Sequence, residues 1–144
     1  MNSIYDKNQL LNNYKNLLSS YEDHRQLSEK LISYNTDSVL TCSSLSLKNG
    51  SRTVTRWCLY SLDGTVLYTS GKFGSSRIVT LYLNYIGIPE GTLFKLKALV
   101  VAGDDSVADI ILKSAPLGSV TGYFELSGTV FRTALKYKGT TNPW

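Results

Sequence analysis

Two hydrophobic periodicities divide this chain of 144 residues. Over residues 4–32, apolar side chains recur at steps of three and four, and Asn, Lys, Ser, Glu and Asp fill the opposite face. The first 49 residues contain neither glycine nor proline, so no residue interrupts this spacing. The pattern predicts one long amphipathic helix in an N-terminal segment, residues 1–37. Its apolar face comprises Leu10, Tyr14, Leu17, Tyr21 and Leu31.

A helix of this length cannot bury its own apolar face, so that face must pack against another surface. A heptad register fits from Leu10 to His24 and slips at Leu27, and tyrosine and histidine are poor core residues for a coiled coil. We therefore expect the helix to pack against the rest of the chain or against another copy. The sequence leaves open which of the two it is.

The rest of the chain has a shorter period. All eleven glycines and all three prolines lie there, and they separate short runs in which apolar and polar residues alternate. These runs predict about eight strands, at 39–47, 53–62, 65–70, 78–86, 93–102, 107–113, 120–127 and 130–137. Hairpin turns are expected at 48–51 and at Asp63 and Gly64. We predict a mainly β fold, an antiparallel β-sandwich or jelly-roll-like domain at 38–138 followed by a tail at 139–144.

Charge follows the same division. Residues 1–37 hold four basic and five acidic residues, and residues 38–144 hold eleven basic and six acidic ones, for a net charge of +4 overall. No segment resembles a signal peptide or reaches the length of a transmembrane span. We expect a chain without a transmembrane segment that stays in the cytoplasm or leaves by a leaderless route.

Catalytic patterns are absent from the sequence. The one histidine, His24, lies in the predicted helix, and no nucleophile motif accompanies it. Asp104, Asp105 and Asp109 could ligate calcium, but a Gly-Asp-Asp-Ser turn is the simpler explanation of two of them. The sequence therefore predicts no catalytic residue, no metal site and no cofactor, and a protein that is not an enzyme.

Whether the two cysteines can form a disulfide depends on the register of one hairpin. A three-residue loop between 48 and 52 would place Cys42 opposite Cys58, close enough for a disulfide, whereas a two-residue loop would place them on opposite faces. A disulfide is thus left open, and two reduced, buried thiols are the favoured state.

Basic and aromatic residues are interleaved between residues 48 and 77. The residues are Lys48, Arg52, Arg56, Trp57, Tyr60, Tyr68, Lys72 and Arg77. Such a set suits nucleic acid, sugar rings or a subunit interface. Nucleic acid is not favoured, because the domain is only mildly basic and carries no known nucleic-acid-binding motif. A candidate ligand face is therefore formed by Trp57, Tyr60, Tyr68, Arg56 and Arg77, beside a loop at 71–76.

Two functions fit these features. The leading interpretation is a non-enzymatic structural protein that self-assembles as a homo-oligomer, such as a filament, a shell or an ordered inclusion. Its subunits would be held by the helix residues named above and by Trp144 in the tail. The alternative is a β-sandwich module that binds a carbohydrate or a cell surface, as a lectin or a leaderless toxin component does.

Overall fold

Residues 39–144 form ten β-strands in the computed structural model, which describes this part of the chain. The strands are β1 (Val39–Cys42), β2 (Ser44–Asn49), β3 (Thr55–Ser61), β4 (Val66–Phe73), β5 (Ile78–Tyr82), β6 (Leu93–Val100), β7 (Ser106–Val107), β8 (Ile111–Ser114), β9 (Thr121–Thr129) and β10 (Arg132–Gly139). The described residues include no helix, so the mainly β prediction is confirmed there. The predicted helix at 1–37, with its interface residues and His24, lies outside the described residues.

The strands make two sheets. Sheet A has the order β1-β8-β6-β3-β4, with β7 also paired to β6, and sheet B has the order β10-β9-β2-β5. Alternation of side chains gives each sheet one apolar face, and β6 shows this along its whole length. Its inward residues Phe94, Leu96, Ala98 and Val100 are buried, as the alternation in the sequence predicts.

One core lies between the two sheets. Sheet A contributes Trp57, Leu59 and Phe94, and sheet B contributes Leu45 and Phe124, all without exposed surface. Burying side chains of this size stabilises the domain by about 1.5–3 kcal/mol each.

The prediction of an antiparallel domain is wrong, because both sheets are mixed. In sheet A, β1 pairs with β8 in parallel, and in sheet B, β2 pairs with β9 in parallel. The jelly-roll arrangement is therefore not confirmed. Alternation along a strand reports which face is buried but does not report the direction of the neighbouring strand.

The predicted strand at 39–47 is divided at Ser43. Its backbone N–H bonds to the carbonyl of Val120 (2.8 Å), and its carbonyl accepts from the N–H of Leu83 (3.0 Å). The chain thus leaves sheet A after β1 and enters sheet B as β2. The strand predicted at 107–113 is likewise two elements, β7 and β8.

The two predicted hairpin turns have different outcomes. Asp63 and Gly64 do join β3 to β4, and Gly64 has a φ of 93°, the left-handed conformation that such a turn favours. The Asp63 carboxylate accepts hydrogen bonds from Ser61 Oγ and Thr65 N, which lowers its pKa to about 2. The hairpin predicted at 48–51 is wrong, because β2 lies in sheet B and β3 in sheet A.

Trp57 places an unsatisfied polar atom in this core, which lowers the stability of the domain. Among the described residues, its indole Nε1 is the buried side-chain nitrogen or oxygen that has no hydrogen-bond partner. We expect Trp57→Phe to stay within about 1 kcal/mol of the wild-type stability, because losing the unsatisfied donor offsets the small cavity. Trp57→Ala should cost about 4 kcal/mol. Urea unfolding of both variants measures this, and equal losses would contradict the account of Nε1.

Candidate functional site

Four connections meet at one end of the two sheets. They are residues 50–54 between β2 and β3, 74–77 between β4 and β5, 101–105 between β6 and β7, and 130–131 between β9 and β10. We call this the Asn49 end, after the last residue of β2. The opposite end, where β1 passes to β2, is called the Ser43 end.

The buried amide of Asn49 organises the Asn49 end. Its Nδ2 donates to the carbonyl oxygens of Thr53 (2.7 Å) and Phe73 (3.1 Å). Its Oδ1 accepts from the backbone N–H of Ser51 (3.1 Å) and from Ser51 Oγ (2.5 Å). Because Phe73 ends a strand of sheet A and Asn49 ends a strand of sheet B, this side chain joins the two sheets.

Backbone hydrogen bonds join the four connections to one another. Arg52 N donates to Gly128 O (3.1 Å), Val101 N to Val54 O (2.9 Å), Asp104 N to Val130 O (3.1 Å), and Asn49 N to Arg77 O (2.9 Å). Ser75 Oγ also donates to Ser51 O (2.7 Å). Hydrogen bonds of this kind hold the backbone of the loops, and so the Cα positions of their outward residues, in a fixed arrangement.

The outward side chains of this end are mostly cationic. Arg52 and Arg77 are exposed in two of the connections, and Arg132 is exposed at the start of β10. Arg56 and Lys72 face each other across β3 and β4, one residue from where those strands meet the loops. Lys48 adjoins Asn49. Six of the eleven basic residues in 39–144 therefore lie at this end.

Acidic residues are fewer at the Asn49 end. Asp104 and Asp105 lie in one connection, and Glu125 lies opposite Lys48 in the register of β2 and β9. The carboxylate of Asp105 accepts from Val100 N (3.0 Å), as a turn residue does. Within residues 39–144, no group of three His, Cys, Asp or Glu side chains is placed to hold a metal ion.

Apolar side chains lie among these cations. Phe131 is 70% exposed at the tip between β9 and β10, and Val54 and Val101 are exposed in two neighbouring connections. The connection at 101–105 is bonded to Val54 through Val101 N and to Val130 through Asp104 N. The three exposed apolar residues therefore lie on or beside this connection. The Asn49 end thus combines positive charge with apolar surface.

The structure separates the predicted ligand face. Trp57 is fully buried and Tyr68 packs against the core, so neither can form such a face, because both point into the space between the sheets. Tyr60 lies on the outer face of sheet A, where Lys97 Nζ is 5.0 Å from its ring centroid. Arg56 and Arg77 remain at the Asn49 end.

The loop predicted beside the ligand face is shorter than expected, and the sequence does not point to Phe131. Part of the loop predicted at 71–76 is strand, because β4 runs to Phe73. Phe131 was absent from the sequence prediction. A bulky side chain at a hairpin tip was the signal that could have identified it.

Both cysteines are free and buried. Cys42 lies on β1 and Cys58 on β3, and β8 and β6 lie between these strands in sheet A. Strands are about 4.8 Å apart, so the two residues are too distant for a disulfide. Burial raises the pKa of the Cys42 thiol to about 12. The possibility of a Cys42–Cys58 disulfide is therefore excluded by the change of sheet at Ser43.

Trp144 lies on the outer face of sheet B. Its Nε1 donates to Ser46 Oγ (3.1 Å), and its ring meets the Tyr123 ring edge-on with centroids 5.9 Å apart. Lys48 Nζ is 5.5 Å from the centroid of the Trp144 ring. The structure therefore places Trp144 against its own domain, and its predicted role between subunits stays a prediction.

Comparisons with known proteins give structural likeness only. No protein-family pattern and no curated protein sequence matches this chain. A crystal structure of listeriolysin O covers 69% of the chain at a TM-score of 0.42 and 13% identity, and the match spans 22% of that protein. A disulfide-locked intermedilysin mutant with human CD59 gives 0.42 and 17% over 69% of the chain and 24% of that protein.

The membrane-binding domain of pneumolysin also matches, with 69% of this chain and 98% of that domain covered at a TM-score of 0.39 and 12% identity. TM-scores below 0.5 are too low to carry a conclusion about fold or function. The chain spans less than a quarter of listeriolysin O and of intermedilysin. In residues 39–144, no helix has the length and hydropathy needed to cross a membrane.

Asn49 should be the most sensitive polar residue of this end. Asn49→Ala removes four hydrogen bonds to Ser51, Thr53 and Phe73 from a fully buried position, so we expect a loss of about 3 kcal/mol. The exposed Asn84 at the Ser43 end provides the control, and Asn84→Ala should change stability by less than about 0.5 kcal/mol. Urea unfolding reports both values. Similar small losses in the two variants would contradict the role given to Asn49.

Proposed function

We propose that residues 39–144 form a non-enzymatic binding module that attaches to anionic membrane surfaces through the Asn49 end. The observation that supports this proposal is the gathering of six basic residues at one end of the domain, two on connections joined by hydrogen bonds and four at the adjoining ends of strands. Arginine suits such a surface, because its planar guanidinium can bind two phosphate oxygens at once.

Attachment of this kind begins at a distance. The domain as a whole is basic, and six of its eleven basic residues lie at one end, which would favour the orientation that turns this end toward an anionic surface. Each basic residue near an anionic bilayer contributes about 1 kcal/mol, and salt weakens the attraction by screening it. Six cations against the three carboxylates at the same end leave a net of three positive charges, enough for weak and reversible attachment.

A lipid surface suits this end better than a glycan does. Sugar rings bind to flat aromatic side chains beside polar groups, yet Trp57 is in the core and Tyr68 packs against it. The residues that do accompany the arginines are Val54, Val101 and Phe131, which match the boundary between headgroups and acyl chains. Of the two ligands that the sequence suggests for a binding module, a cell surface is therefore retained and a carbohydrate is not favoured.

The test removes two charges from either end. Arg52→Gln with Arg77→Gln should weaken attachment to phosphatidylcholine vesicles containing phosphatidylserine about thirtyfold, from about 1 kcal/mol per arginine. Lys113→Gln with Lys138→Gln removes the same charge elsewhere and should have a much smaller effect. Vesicle co-sedimentation at low and high salt measures both.

Equal losses in the two double variants would mean that net charge, not the Asn49 end, causes attachment. Absence of vesicle binding together with retention on acidic glycans would replace the membrane proposal with a lectin.

Self-assembly is the second candidate function. It is favoured by β5, an edge strand of sheet B with exposed apolar side chains, Ile78 at 46% and Tyr82 at 44%. Edge strands of this kind are able to pair with another chain. The helix residues Leu10, Tyr14, Leu17, Tyr21 and Leu31 remain proposed contacts in such an assembly.

Light scattering of the full chain tests association through β5. If copies associate there, Tyr82→Lys should lower the measured mass to that of one chain, because a charge on an edge strand opposes pairing. Val66→Lys is the control, since Val66 is 59% exposed on β4 at the edge of sheet A. An unchanged mass in Tyr82→Lys would exclude β5 as the contact.

A further inference from the structure

The tip between β9 and β10 is a loop of two apolar residues. Thr129 pairs with Arg132, so Val130 and Phe131 alone form the loop. Neither residue has the left-handed backbone conformation that favours Asn, Asp or Gly in such loops, so the turn does not dictate their identity. Val130 is half-buried, whereas the side chain of Phe131 is 70% exposed, so packing within the domain accounts for the first residue and not for the second.

This tip is held firmly from two sides. Asp104 N donates to Val130 O (3.1 Å), and Arg52 N donates to Gly128 O (3.1 Å). Gly103 lies so close that any side chain there would collide with the carbonyl oxygen of Val130. Gly128 has a φ of 105°, and a side chain there would collide with the carbonyl oxygen of Arg132. Phe131 is therefore presented on a rigid support.

The surroundings of Phe131 have a definite chemistry. Arg132 follows it directly, Arg52 lies on the loop bonded to Gly128, and Val54 and Val101 add apolar surface on the neighbouring connections. An apolar tip with two arginines near it matches the boundary of a bilayer at which acyl chains meet phosphates.

We propose that Phe131 is an interfacial membrane anchor, which enters the region between headgroups and acyl chains while Arg52 and Arg132 bind lipid phosphates. This inference rests on the proposed attachment of the Asn49 end to anionic membranes, and it assigns the apolar half of that contact. The arginines bring the domain to the surface, and Phe131 makes the contact less sensitive to salt, because apolar burial is not screened.

Vesicle partitioning distinguishes these two contributions. On phosphatidylcholine vesicles containing phosphatidylserine, Phe131→Ala should lower the partition coefficient about tenfold, as loss of one large buried apolar side chain predicts. The binding that remains should disappear at high salt. Tyr85→Ala is the matched control, because Tyr85 is 72% exposed and lies at the Ser43 end, and its partitioning should equal that of the wild type.

The buried native thiols permit a direct measurement of depth. Because Cys42 and Cys58 are both buried, Phe131→Cys and Tyr85→Cys each introduce the one accessible thiol of the described residues for a polarity-sensitive dye. On vesicles, the dye at position 131 should shift to the blue and be quenched by lipids with nitroxide labels. The dye at position 85 should do neither.

The outcomes separate this inference from the proposed function. Wild-type partitioning of Phe131→Ala, with loss of binding in the arginine double variant, would overturn the anchor and leave the electrostatic attachment standing. A blue shift at position 85 instead of 131 would overturn both, because the Ser43 end would then be the one in contact. No binding of the wild type would also overturn both.

Discussion

The passage of the chain from sheet B to sheet A at Asn49 is the constraint on which the rest of this domain depends. A strand that leaves one sheet and enters another carries backbone groups that have no ladder partner, and here they are buried. The Asn49 side chain supplies two donors and an acceptor at that point, to Thr53, Phe73 and Ser51. One amide thus substitutes for the hydrogen bonds of a hairpin and fixes the ends of both sheets.

The hydrogen bonds at the Asn49 end also bear on the proposed binding. Because the connections at the Asn49 end are bonded to one another, their backbone would lose little freedom if a ligand bound there, which would lower the cost in conformational entropy. The two kinds of side chain there act over different ranges. Charge on the arginines is felt across about 10 Å of solution, whereas the phenyl ring of Phe131 acts only on contact.

Sequence reasoning reached the elements that local patterns determine. The alternation of β6 identified its buried residues, and Asp63 with Gly64 identified the turn after β3, since both signals are contained in a few neighbouring residues. It failed where partners are distant. The residues near Ser43 do not indicate that Val120 and Leu83 bond to its backbone, so the sequence predicts one strand where β1 and β2 are two, and it does not predict the parallel pairs.

The candidate site shows the same division. The basic residues between 48 and 77 do gather at one end, because the strands that carry them begin or end there. Trp57 and Tyr68 were misplaced, since the face of β3 and β4 that meets the core depends on the sheet opposite. Phe131 can be identified as a site residue only from the tertiary structure, because its exposure depends on how the neighbouring loops are placed.

The two margins of sheet B differ in a way that limits any assembly. β10 carries Arg132, Lys136 and Lys138, which discourage another strand from pairing there, whereas β5 exposes Ile78 and Tyr82. If two copies pair through sheet B, the strand that favours pairing on each copy is β5. Such a contact uses the same surface on both chains, and once it forms, no free edge of that kind is left. Pairing through this sheet would end at a two-fold dimer, and any longer polymer would have to grow from a different surface.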